Sequence, residues 1–154
     1  MDLSSWILGL SLIVLTIAIH TTALVLVAFG LETRIRARIN KYKPHQLRAI
    51  PTVIVHIGAV ALILAALHGL EGVLWASAYW SLGAVDSFTD ASVYSLATMT
   101  TFEIPAITLA PRWQRISVLE AMNGVLLFGI STAFLFAVIQ VHWQALSDRR
   151  QPVE

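Results

Sequence analysis

An all-α membrane protein with three transmembrane helices is the fold class this sequence predicts, and three observations carry it. Charged residues make up only 12% of the chain, against about 25% in an ordinary soluble domain. Mean hydropathy is +0.76, and the apolar residues fall in three runs, each longer than the roughly 20 residues a helix needs to cross hydrocarbon. Between the second and third runs lies "SLGAVDSFTDASVYSLATMTTFEIPAITLAPRW". That stretch is too polar to span and too apolar for an ordinary solvent loop.

Taken in order, the first helix is expected within residues 1–30. The start, Met1-Asp2-Leu3-Ser4-Ser5, lacks the basic region of a cleaved signal peptide, so this apolar run is expected to stay. Residues 31–49 read as a basic loop, with Arg34, Arg36, Arg38, Lys41, Lys43 and Arg48 against Glu32. An outer helix over 50–80 follows, with Pro51 in the first turn, where its missing N–H leaves no helical bond unmade. The third long helix is expected over 113–146, and a tail over 147–154 holds Arg149 and Arg150. By the positive-inside rule both basic segments lie in the cytoplasm, which puts the N-terminus and the 81–112 connection outside. Trp6, Trp75, Tyr79, Trp80 and Trp113 then fall near the outer ends as interfacial anchors, and Trp143 near the inner end.

Within the outer connection, Asp86, Ser87 and Asp90 offer N-cap chemistry, and a short helix is predicted over 90–101. Pro105 and Pro111 bar its continuation. A short helix followed by extended backbone between two spans describes a re-entrant segment, which survives at membrane depth only inside protein or beside a water-filled cavity.

At this point "VYSLATMTT" resembles the end of the pore helix of the potassium-channel pore-domain family. Likewise "RISVLEAMNGVLLFGISTAFLFAVIQ" resembles the inner helix of its small bacterial members with one extra leading span. The likeness covers about residues 68–142. It implies a homotetramer around a central pore in a bacterial inner membrane, with a pore domain over 50–146 and a filter over 101–106. Thr100, Thr101, Phe102, Glu103, Ile104 and Pro105 are the residues that the resemblance puts at the filter. Glu120 and Asn123 would support it, with Glu120 either bracing the filter from behind or capping its helix. Asn123 and the Ser131-Thr132 pair either line the cavity or bond between helices. Gly124 and Gly129 would serve as gate or hinge, or as packing positions.

The departure from the family is as informative. The signature Thr-x-Gly-Tyr-Gly-Asp uses backbone carbonyls to replace the hydration shell of potassium. With Thr101 on its Thr, the Gly-Tyr-Gly-Asp falls on Glu103-Ile104-Pro105-Ala106, and both glycines are gone. Pro105 is held near φ −65°, and Glu103 in a left-handed conformation would cost roughly 1–2 kcal/mol. A carbonyl ladder of that kind is therefore excluded, and in the tetramer that the resemblance implies, a ring of four Glu103 carboxylates outside a ring of Thr101 would take its place. Thr101-Phe102-Glu103 also resembles the Thr-Leu-Glu of bacterial sodium channels, although residues 105–111 leave no room for the second pore helix of that family. The implied function is a cation channel passing sodium, calcium or cations unselectively rather than potassium. The alternative is a non-conducting binding or regulatory protein that keeps the scaffold.

Other chemistry is thin. There are no cysteines, so disulfides and thiolate metal sites are excluded. No catalytic constellation is assigned, and no nucleic-acid partner is expected, since the basic residues cluster in short connecting segments. His68 and Glu71 are i, i+3 and share a helix face. They read as an internal polar contact rather than a metal site, which needs more convergent ligands. Haem ligation by His20, His56, His68 or His142 has nothing else behind it, so no cofactor or metal beyond permeant cations (Na⁺, Ca²⁺ or K⁺) is expected.

Overall fold

The computed structural model describes residues 3–41 and 49–147. These form four helices in chain order: α1 (Leu3–Lys41), α2 (Ala49–Ser81), α3 (Phe88–Met99) and α4 (Gln114–Ser147). No strand occurs among the described residues. Three segments are long and apolar enough to cross a membrane: Ser4–Gly30, Pro51–Ser81 and Gln114–Gln144. The shortest has 27 residues and spans about 40 Å at 1.5 Å per residue.

The first helix is longer than the sequence predicts. It does not stop at Gly30 but continues to Lys41, through part of the segment expected to be a loop. Arg, Lys, Leu and Ala are strong helix formers, and the first helix breaker in this region is Pro44. The remainder of the expected basic loop, and most of the expected tail, lie outside the described residues.

The chain divides into two compact units, Met1–Thr21 with Ala66–Gly129, and Thr22–Ala65 with Ile130–Glu154. In the first, α3 lies in a cleft walled by α2 and α4. Its core is Trp75, Ala76, Tyr79, Val85, Ala91, Leu109, Ile116 and Leu119, with Leu8, Leu12 and Ile13 of α1 packed against it. In the second unit Leu24, Val60, Leu64 and Val138 form a smaller cluster, with Phe134 and Leu135 beside it. There His142 donates from Nδ1 to the Val138 carbonyl at 2.9 Å, and its Nε2 lies 3.5 Å from Nδ1 of His56.

Two helices end in the same way. At the end of α2, Ala84 N–H bonds to Tyr79 O (2.9 Å) and Gly83 N–H to Trp80 O (3.0 Å). Gly83 carries the left-handed φ of 64° that this Schellman cap requires. At the end of α3, Phe102 N–H bonds to Ala97 O (2.8 Å) and Thr101 N–H to Thr98 O (2.9 Å). The left-handed residue here is Thr101, φ 59°, alone among the described non-glycine residues.

Candidate functional site

The local sequence sets both ends of α3. Ser87 adopts an extended conformation (φ −115°, ψ 137°), and its side chain accepts the Asp90 N–H at 3.2 Å. Asp90 in the first turn complements the positive end of the helix dipole. Helix geometry ends at Met99, two residues before the predicted end at 101. The left-handed residue is thus Thr101 rather than Glu103. A β-branched residue is poorly suited to positive φ, so the strain sits at the first residue of the expected filter. Thr101→Gly is expected to stabilise the protein in detergent by about 1 kcal/mol, read from its unfolding midpoint. Thr101→Val, equally β-branched, should show no such gain.

Beyond the cap the chain has neither helix nor strand. Thr100, Thr101, Phe102 and Glu103 are exposed, Phe102 at 67% of its surface. The Thr100 hydroxyl lies 3.1 and 2.9 Å from the carbonyls of Leu96 and Ala97 and so folds back on its own helix. Ile104 is half-buried and opens a turn closed by Ile107 N–H to Ile104 O (3.1 Å), with Pro105 at its second position. Pro111 holds the same position in the turn from Ala110 to Trp113 (2.8 Å). Proline suits that position because its fixed φ matches the turn. Among the described residues no ion pair joins Glu103 to Arg112 or Arg115. Arg112 instead sits over the Trp113 ring at 4.9 Å.

Behind α3 lies a buried polar clamp. Tyr79 of α2 donates its hydroxyl to Glu120 Oε2 of α4 at 2.6 Å. Ser95 of α3 makes a short hydrogen bond with Glu120 Oε1 and lies 2.8 Å from the Gly72 carbonyl of α2. Tyr94 of α3 donates to Ser117 of α4 at 2.9 Å, and its ring meets Tyr79 edge-on at 5.3 Å. Glu120 therefore ties three helices together. Asn123 is buried too, but its Nδ2 donates to Thr16 Oγ1 of α1 at 2.8 Å, so it holds α1 to α4.

The two glycines of α4 differ. A Cβ on Gly124 would lie 2.7 Å from Met99 Cα and within overlap of the Met99 carbonyl. Gly129 has nothing within 4 Å of that position. Gly124 is where the backbone of α4 meets the end of α3.

A second buried cluster draws on a residue that sequence reasoning did not connect. His68 and Glu71 are joined on α2 by His20 of α1, with His20 Nδ1 2.8 Å from Glu71 Oε1 and His68 Nδ1 3.2 Å from Oε2. His20 and Glu71 are fully buried. The His68 ring stacks on Phe128 at 4.1 Å. The available signal was weak: a histidine within an otherwise apolar span needs a polar partner, but nothing in the sequence says which.

Comparison of this chain with protein-family models, with curated proteins and with solved structures returned no match.

Proposed function

We propose that this chain is one subunit of a homotetrameric cation channel, with α3 as a re-entrant pore helix and Thr101 and Glu103 forming the selecting rings. One observation supports this above the rest: α3 packs against α2 and α4, and its C-terminal half lies beside residues well inside both long helices. Ser95 meets Gly72 and Met99 meets Gly124. Those glycines lie about 15 Å along their helices from the ends at Ser81 and Gln114.

The chemistry at the end of α3 fits the reading. A helix C-terminus carries partial negative charge that favours a cation. Glu103 is exposed and makes no ion pair among the described residues. Phe102, also exposed beside it, is an apolar surface that neighbouring subunits would cover. In this reading, hydrated sodium or calcium gathers at the Glu103 carboxylates and sheds water against threonine oxygens. The ion then enters a cavity lined by α4, with the cytoplasm on the side of the basic residues.

Reversal potentials in planar bilayers test it, with potassium, sodium and calcium in turn on one side. Currents are expected to favour sodium or calcium over potassium. Glu103→Gln is expected to reduce that preference about tenfold, the equivalent of about 1.4 kcal/mol. Potassium selectivity untouched by the substitution would overturn the carboxylate filter. No current from a well-folded tetramer would favour a non-conducting binding or regulatory protein on the same scaffold.

A further inference from the structure

We infer that His20, His68 and Glu71 form an intramembrane binding site for a divalent transition-metal ion of the zinc class. The inference is independent of whether the pore conducts. One ligand atom from each of the three residues can be chosen so that all lie within 4.8 Å of one another. The Nδ1–Oε separations of 2.8 and 3.2 Å compare with about 3.3 Å between ligand atoms bound 2.0–2.1 Å from a tetrahedral ion. Two imidazoles and one carboxylate are a donor set that zinc takes up, leaving a further position for water.

The second observation is at Glu71. Its Oε1 bonds to His20, whereas its Oε2, buried and 3.2 Å from His68 Nδ1, accepts no hydrogen bond. A fully buried carboxylate oxygen with an unmade bond is costly in an apolar span, and a carboxylate oxygen of Glu71 lies within 4.8 Å of a nitrogen of each imidazole. An ion there would give Oε2 the partner it lacks. Phe128, stacked on His68, limits rotation of that ring and keeps its nitrogen turned inward.

The test uses the purified full-length protein in detergent micelles, equilibrated with a modest excess of Zn²⁺ and then desalted. Elemental analysis is expected to find about one zinc per chain. Glu71→Gln and His20→Asn are expected to retain almost none. His56→Asn, which alters the separate histidine pair, should retain the wild-type amount. Wild-type protein that keeps no zinc, or a Glu71→Gln variant that keeps as much as the wild type, would overturn the site and leave a hydrogen-bonded triad. Should the variants not fold, X-ray absorption of the zinc-loaded wild type decides: a first shell with two imidazoles supports the site, and one with none or a single imidazole overturns it.

Discussion

Gly124→Ala is expected to lower the unfolding free energy by about 1–3 kcal/mol, the usual range for overpacking. The added methyl would lie 2.7 Å from Met99 Cα. The obstructing atoms are backbone, so no side-chain rotation relieves the clash, and α3 or α4 must move. Gly129→Ala is the control. Apart from its own stretch of helix, nothing lies within 4 Å of its Cβ position, and alanine is favoured over glycine in a helix by about 1 kcal/mol. It should therefore be neutral or stabilising. Unfolding in mixed detergent micelles measures both. Equal effects of the two substitutions would show that Gly124 does not serve as the seat of α3. If the pore reading holds, Gly124→Ala should also alter conduction, because the displaced end of α3 carries Thr101 and Glu103.

Glu120→Ala should be about as damaging. It removes the acceptor of the Tyr79 hydroxyl and the partner of Ser95, both within a buried cluster. Each buried polar group left unsatisfied costs about 1–3 kcal/mol. Because α2, α3 and α4 all meet at this carboxylate, the loss should appear as early unfolding of the α3 region in hydrogen exchange. Glu120→Gln should be much milder. Its amide oxygen still accepts from Tyr79, and its NH₂ can donate to Ser95. The Ser95 hydroxyl has one proton, which is then committed to the Gly72 carbonyl at 2.8 Å. A double-mutant cycle with Tyr79→Phe should return a coupling of about 1–2 kcal/mol, as expected for groups in direct contact. An alanine variant as stable as the glutamine variant would mean the clamp holds nothing.

The candidate site was legible in part. Glu103, Thr101, Glu120 and the His68–Glu71 pair stand out because each is polar in apolar surroundings or lies at a spacing that shares a helix face. The strain at Thr101 was not legible, because the sequence does not say where α3 stops. Ending the helix at Met99 rather than two residues later moves the left-handed position onto a threonine. The role of Asn123 was likewise open, since an asparagine facing a cavity and one bonded to Thr16 of another helix look the same in sequence.

By itself the sequence determined the three spanning helices, the short helix between the second and third, and the capping and proline signals that bound it. Those are local matters of apolar length, side-chain oxygens at a helix start and backbone N–H groups that proline lacks. Only the tertiary structure decided which faces of those helices meet. In a soluble protein the polar face of a helix reveals its outward side, but these spans are apolar nearly all round, so hydropathy does not record their rotation. That rotation brings His20 to Glu71 across 51 residues of chain and sets Gly124 rather than Gly129 against Met99. Close backbone approach and interhelical hydrogen bonds select it, because lipid tails are as apolar as the side chains and supply no hydrophobic preference between faces.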